Sequence, residues 1–221
     1  SELDDSDIVW KASEKIAEFI DGNNCEKEAT ASPTDYCGRL IVTFNDEDKE
    51  GAFFNYDVSN GLSDTQKALF ENDVPGSLPS SYGDADGKMG DERIGYLWGD
   101  REHEGIGISD GGMRVRNFLL GDITNSTPVM VGSPPGIRRD FEPYPTADGK
   151  RYSEFVAKYL NTSEDEKRRP IVYVGANDGM LHAFDAKDGE EVFAYVPNAA
   201  MKDLYKFTTI DYQHEMFVDG S

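Results

Sequence analysis

The carboxylates with the best spacing for binding a metal ion lie in one acidic stretch, DADGKMGDE, at residues 84–92. Aspartates at alternate positions followed by a glycine are typical of the start of a calcium loop, because Ca²⁺ prefers carboxylate oxygens. The pattern then breaks, since Lys88 stands where the third oxygen ligand belongs and the glutamate of the twelfth position is missing. Asp84, Asp86 and Asp91 are therefore calcium-ligand candidates from an incomplete pattern.

The other reactive residue types are not arranged for catalysis. The three histidines, His103, His182 and His214, lie in separate segments and lack the spacing of zinc ligands. No serine, cysteine or lysine stands beside a recognisable base, as covalent catalysis requires. We therefore predict that the protein is not an enzyme, with no catalytic residue and no cofactor in this segment.

Two cysteines, Cys25 and Cys37, enclose a loop rich in proline, threonine, serine and alanine. A disulfide between them would stabilise the fold by roughly 3 kcal/mol in the chain-entropy model. Such a bond is typical of an exported protein, and two unrelated thiols are the alternative. The count and spacing exclude a haem attachment site and a zinc knuckle.

The composition of the 221 residues excludes several kinds of partner. A formal net charge of −21 argues against nucleic acid and anionic lipid, since both require clustered lysine and arginine. No run of 18 apolar residues is present, so we predict no membrane span. The chain begins at Ser1 and ends within what resembles a strand and turn, so we expect a piece of a longer, exported protein.

The spacing of apolar residues divides the chain into two predicted regions. Residues 1–112 form a mixed α/β region that contains the cysteine loop, and residues 113–221 are mainly β. In the first region the patterns predict a helix over 8–22, strands over 39–44 and 52–56, and helices over 64–71 and 91–98. In the second they predict strands over 114–123, 129–132 and 214–218 and helices over 152–160 and 198–205.

The clearest pattern lies at 170–197, where three short apolar runs are joined by two turns that contain Asp-Gly. Aspartate and glycine tolerate the positive backbone angles of tight hairpin turns. The stretch therefore predicts a three-stranded antiparallel meander.

The amino-acid sequence of this meander resembles the repeat of quinoprotein-type β-propellers, in which one such unit forms one blade. The matching stretch is VYVGANDGMLHAFDAKDGEEVFAY. Two further sequence motifs make the resemblance to one family more specific. They are LLGDITNSTPVMVGSP at 119–134 and YQHEMFVDGS at 212–221. Together they resemble the type IV pilus tip-associated adhesin family, the PilY-type proteins. The resemblance is strong over about residues 61–221, and over residues 8–56 it is limited to the order of the elements.

The resemblance implies a mainly β fold with helical insertions (α+β), in which residues 113–221 start a partial β-propeller and 170–197 form a blade. It also implies a secreted protein that passes through the periplasm to the pilus tip and serves adhesion and pilus assembly and retraction. The implied partners are minor pilins and other pilus subunits, a contacted surface and the rest of its own propeller. The family's calcium loop is not visible here, so calcium is implied only for the full-length protein.

Within the blade we predict a structural role for His182, with a ring nitrogen bonded to the backbone or to a neighbouring blade. Two alternatives share the blade repeat. A fragment of a quinoprotein (PQQ-type) dehydrogenase would need a cofactor pocket, a calcium ion and an acidic base spread over several blades, and its repeats usually carry a tryptophan where this chain has Phe193-Ala194-Tyr195. An envelope assembly scaffold would repeat the blade throughout, whereas one clear copy and a half-copy at 129–132 are present.

Overall fold

A computed structural model describes residues 8–22, 38–71, 89–105, 112–134, 140–141, 146–160 and 168–220. The helices in these ranges are α1 (Ala12–Gly22), α2 (Asp64–Glu71), α3 (Gly90–Trp98), α4 (Tyr152–Leu160) and α5 (Asn198–Leu204), and a 3₁₀ helix follows at Tyr205–Thr208. The strands are β1 (Ile41–Asn45), β2 (Glu50–Phe53), β3 (Val129–Val131), β4 (Ile171–Gly175), β5 (Leu181–Asp185) and β6 (Glu191–Tyr195).

The six strands form one mixed sheet in the order β2-β1-β6-β5-β4-β3. Neighbours from β3 to β6 are antiparallel, so the predicted meander is confirmed. β1 adds parallel to the free edge of β6, and β2 returns antiparallel beside β1. The mixed α+β class is thus confirmed, but the predicted mainly β character was wrong for the described residues, because their helices contain more residues than their strands. The described strands form one open sheet.

Glycine makes the turns of the meander possible. Gly179 and Gly189, which follow Asp178 and Asp188, have φ angles of +89° and +78°, a region that side chains other than glycine rarely adopt. Gly179 also lies against α5, because a Cβ atom there would come within 2.4 Å of Leu204 Cδ1. The turn therefore fixes both the hairpin and the packing of α5.

The segment before α1 packs on the meander β4–β6. Trp10 donates a hydrogen bond from Nε1 to the carbonyl oxygen of Ala186 at 3.2 Å, and its ring centroid lies 6.1 Å from that of Phe184. The six-stranded sheet also includes strands from both predicted regions. β1 and β2 come from residues 1–112, and β3 to β6 come from residues 113–221. The division into two regions itself stays a prediction.

One hydrophobic core extends from α1 across the sheet to α5, and its largest aromatic group lies where α2 and α3 meet the end of β2. Trp98, Phe54 and Phe70 have no exposed surface, and the Trp98 indole donates to the Phe54 carbonyl at 2.6 Å. Burying aromatic rings of this size contributes roughly 2–3 kcal/mol each. Helix α2 begins with a capping box. The Ser63 side chain accepts the Gln66 amide at 3.1 Å, and the Gln66 side chain accepts the Ser63 amide at 3.0 Å.

Two predicted strands are absent, because residues 114–123 and 214–218 have no strand hydrogen bonding. Side chains hold these segments instead. The Arg116 guanidinium donates to Glu104 at 2.6 Å and to the Tyr96 carbonyl at 2.6 Å, and Asn177 Oδ1 accepts the amide of Phe217 at 3.2 Å. The strand predictions at these two segments were wrong, because an apolar run does not specify a strand when no neighbouring backbone pairs with it.

Candidate functional site: a buried charge network at the edge of the blade

His182 lies at the centre of the meander between two carboxylates. Its Nδ1 is 2.7 Å from Glu191 Oε1, and its Nε2 is 3.0 Å from Asp178 Oδ2. The ring has no exposed surface and stacks on Phe184, with the centroids 5.6 Å apart. Ionised carboxylates only accept hydrogen bonds, so both ring nitrogens must donate. His182 is therefore an imidazolium cation.

The electrostatics of the site support this protonation state. Burial disfavours a charged ring, but the charges and hydrogen bonds of Asp178 and Glu191 outweigh burial and raise the pKa of His182 to about 9. Burial by itself would raise the pKa values of Asp178 and Glu191, because it disfavours their charged forms. The Arg39 and His182 charges nevertheless hold the pKa of Glu191 far below its usual range, and His182 lowers the pKa of Asp178.

Arg39 joins this cluster from the segment just before β1. Its guanidinium binds Glu191 through two parallel hydrogen bonds, from Nε to Oε2 at 2.6 Å and from Nη2 to Oε1 at 2.9 Å. Both side chains are 4% exposed. Nη1 donates to the carbonyl oxygen of Trp98 at 2.7 Å, which is one of the carbonyls left without a helical partner at the end of α3. Arg39 thus ties β1, β6 and α3 together.

Asp178 extends the cluster to the segment before β3. Its Oδ2 accepts the amide of Gly121 at 2.8 Å, and its Oδ1 accepts the amide of Met180 at 3.2 Å. Gly121 comes so close that a Cβ atom on it would lie 2.2 Å from the Asp178 nitrogen. A larger residue at 121 would therefore push the two segments apart.

We call Arg39, Glu191, His182 and Asp178 the buried charge network. It contains two cations and two anions, so its formal charges cancel inside the protein. In the described part of the chain, no group of three or more histidine, cysteine or acidic side chains is arranged to hold a metal ion. The network joins separate segments of the chain, and its chemistry is that of a structural tie.

A second polar cluster, the loop junction, lies nearer the surface and consists of Asp122, Asn125, Asn177, His214 and Asp219. Asp219 accepts both the amide and the Nδ2 group of Asn125, at 2.6 and 2.8 Å. Asn177 Nδ2 lies 2.9 Å and His214 Nε2 3.0 Å from Asp122 Oδ2. Burial would raise the pKa of Asp122, but bonds from Asn177, Thr124 and His214 lower it to about 2. The junction fixes the 212–220 segment against the turn that follows Asp122.

Of the predicted calcium ligands and disulfide cysteines, Asp91 is the one that lies among the described residues. Asp91 lies in the first turn of α3 and is 8% exposed, whereas Asp84 and Asp86 lie outside the described residues, as do Cys25 and Cys37. The calcium candidates and the disulfide therefore stay predictions. His103 lies 2.9 Å from Glu92, and the three histidines do not meet.

His182 is buried, as expected of a structural residue, but the predicted bond to backbone or to a neighbouring blade was wrong because its partners are carboxylates of the same blade. Sequence reasoning missed Arg39 and Glu191 because 152 positions separate them. One local signal pointed to the network: Asp178 lies in the tight turn between β4 and β5, four residues before His182.

Comparison with known proteins gives the family. Residues 120–221 match the family model described as the PilY1 beta-propeller domain. A type IV pilus biogenesis factor PilY1 homolog of Xylella fastidiosa (strain Temecula1) is 46% identical over 132 residues, which are 58% of this chain and 10% of the relative. The chain belongs to the PilY-type family.

Further PilY-type relatives support the assignment. PilY1 of Pseudomonas aeruginosa strain PAO1 is 41% identical over 135 residues, 60% of this chain and 10% of the relative. PilY1 of strain UCBPP-PA14 is 33% identical over 177 residues, 75% of this chain and 14% of the relative. The chain thus spans about a tenth of the length of these PilY-type relatives. No solved structure matches it.

Most of the buried charge network lies inside the segment that matches the PilY1 beta-propeller domain. Asp178, His182 and Glu191 lie within residues 120–221, and Arg39 lies outside them. The tie therefore links the matched segment to a part of the chain that precedes it. None of the helices described for this PilY-type chain is long and apolar enough to cross a membrane.

Proposed function

We propose that this chain is part of a type IV pilus biogenesis factor in which residues 113–221 start the β-propeller. One observation carries the proposal: the segment that matches the PilY1 beta-propeller domain contains the meander β4–β6 and the strand β3 beside it. The relatives that match over the same part of the chain are named as pilus biogenesis factors. A role in the cell envelope or the pilus follows from that assignment.

The finer proposal is that the protein is secreted through the periplasm and acts at the pilus tip as a non-enzymatic adhesin. Its partners would be minor pilins, the surface that the tip contacts and the rest of its own propeller. The relatives are named as pilus biogenesis factors, which favours a pilus role over a quinoprotein dehydrogenase or a general envelope scaffold. We also propose that the calcium associated with the family binds in the full-length protein, beyond this segment.

Contacts with partners are best made by loops, because the strands of a blade are committed to the sheet and to the core. In this chain Phe118 and Met216 are 64% and 63% exposed on segments without regular structure. Apolar side chains exposed on loops can bind a partner without disturbing the sheet.

A deletion of the full-length gene in the source bacterium tests the proposal. We expect the deletion to reduce the number of surface pili and the wild-type gene to restore it. In a strain that also lacks the retraction motor, pili should return to the surface while attachment stays low, which separates adhesion from assembly. Unchanged piliation and unchanged attachment would contradict the proposal.

An enzymatic role is tested on the purified full-length protein by dye-linked oxidation of alcohols in the presence of pyrroloquinoline quinone and Ca²⁺. We expect no turnover above that of a matched sample without the protein. Turnover that depends on the quinone would support the dehydrogenase alternative and overturn the non-enzymatic role.

A further inference from the structure

The junction between β1 and β6 joins two parts of the chain in a geometry suited to bear tension. The strands are parallel, with Ile41 opposite Ala194 and Val42 opposite Tyr195. The chain enters β1 at one end of the junction and leaves β6 at the other end. Tension between the segment before β1 and the segment after β6 therefore pulls the two strands in opposite directions along their common axis.

Such a shearing load is shared by all the bonds that cross the junction. The amides of Ala194 and Val196 donate to the carbonyls of Leu40 and Val42, each at 2.9 Å. These bonds connect the two strands at even spacing along the pair, so sliding the strands loads them together. When a hairpin is pulled open from its end, its bonds instead break one pair at a time.

Side chains strengthen both ends of the junction. At the entry to β1, the two parallel bonds between Arg39 and Glu191 cross from one strand to the other. At the far end, Thr43 Oγ1 donates to the Val196 carbonyl at 2.8 Å. Arg39 also binds the carbonyl of Trp98, so sliding β1 would detach it from α3 as well as from the blade.

Burial keeps water from replacing these bonds as they stretch. Ile41, Ala194 and Val196 have no exposed surface, and Thr43 is 3% exposed. A buried polar group that loses its partner bears the full cost of desolvation, about 1–3 kcal/mol and more for a charge. The barrier against sliding is therefore higher than the bond count alone indicates.

We propose that the β1–β6 junction is a mechanical clamp that keeps the N-terminal segment attached to the blade when the two are pulled apart. The clamp follows from strand direction, bonding and burial, and it does not depend on the proposed function. In a pilus protein, retraction against an attached surface would supply the tension.

Single-molecule pulling of the 221-residue chain in two geometries tests the clamp. One handle is at Ser1 in both cases. A second handle at Ala199, which is exposed beyond the end of β6, loads the junction in shear. A second handle at the exposed Asp57, beyond β2, opens the antiparallel β1–β2 pair from its end. We expect a clearly higher rupture force in the Ala199 geometry.

Variants then identify the bonds that bear the load. Arg39→Met should speed detachment at a given force in the Ala199 geometry by at least about tenfold, because it leaves Glu191 without its bidentate partner. Thr43→Val should act in the same direction by a smaller factor. Arg39→Lys keeps the charge but loses the paired bonds, so it should fall between wild type and Arg39→Met. Lys15→Ala removes the exposed ion pair with Glu18 in α1 and should change nothing.

Equal rupture forces in the two geometries would overturn the clamp. The clamp would also be overturned if Arg39→Met, Arg39→Lys and Thr43→Val all left the rupture force in the Ala199 geometry unchanged. If Arg39→Met does not fold, judged by circular dichroism, the lysine and valine variants decide the outcome. The pulling experiment uses purified protein, so its failure is independent of the piliation and attachment assays.

Discussion

Glu191 reaches His182 because a bulge shifts the register between β5 and β6. Ala183 pairs with Phe193, but the next residue of β5, Phe184, pairs with Glu191 and not with Val192. Residues directly opposite one another in an antiparallel pair point to the same face. Without the bulge, Glu191 would lie opposite Asp185, whose side chain is on the other face of the sheet from His182. A shift of one residue in register moves a side chain from one face of the sheet to the other. The bulge thus assembles the buried charge network.

The raised pKa of His182 predicts that stability falls at alkaline pH. The pKa is about 9 in the folded protein, against about 6.5 in an unfolded chain. The stabilisation from protonated His182 is complete below pH 6.5 and is lost as pH rises through 9, which amounts to about 3 kcal/mol. Urea unfolding at pH 6, 7.5 and 9 measures this slope.

His182→Gln should be less stable at pH 6 and should lose most of the alkaline slope. The control His214→Gln changes a histidine whose side chain is 51% exposed and should keep the slope. A wild-type free energy of unfolding that is constant from pH 6 to pH 9 would show that His182 is neutral in the fold.

The carboxylates of the network predict a second loss at acid pH. The pKa values of Glu191 and Asp178 are lowered in the folded protein. Their stabilisation is therefore present above the ordinary carboxyl range, near pH 4, and decreases as the pH falls below it. Glu191→Gln should flatten this acid limb in the same urea titration, extended to pH 3. An unchanged acid limb in that variant would assign the loss to other carboxylates.

The close approach of Gly121 to Asp178 predicts a steric effect. In Gly121→Ala the new Cβ would lie 2.2 Å from the Asp178 nitrogen, so the segments must separate and the bond from Gly121 N to Asp178 is weakened. Overpacking of this kind costs about 1–3 kcal/mol of the free energy of unfolding. Gly51→Ala is the matched control, because no atom lies within 4 Å of its Cβ position. Equal denaturation midpoints for the two variants would contradict the predicted contact.

The loop junction predicts a local effect on backbone motion. Asp219→Ala removes the acceptor of the Asn125 amide and side chain, so amide hydrogen exchange should quicken at Asn125 and at Gly220, whose amide donates to Ser126. Amides of β4 and β5 should keep their protection. The exposed Asp211 of the same segment provides the control variant Asp211→Asn. Faster exchange throughout the sheet would indicate that the junction supports the whole fold.

The local features of the fold could be predicted because their signals involve residues a few positions apart. The Asp-Gly turns and apolar runs at 170–197 specify the meander. The Ser63–Gln66 capping box marks the start of α2. The same signals failed at 114–123 and 214–218, where apolar runs lie in irregular segments held by side-chain bonds.

The sequence by itself determined the meander, the main helices and the resemblance to the PilY-type family. Each of these depends on the spacing of nearby residues or on short sequence motifs. Only the tertiary structure decided that β1 adds parallel to β6, that a bulge turns Glu191 toward His182 and that Arg39 completes the network. Pairing between distant segments depends on shape and burial across the whole core. For that reason Arg39 and Glu191, 152 positions apart, carry no local sign of the bonds between them.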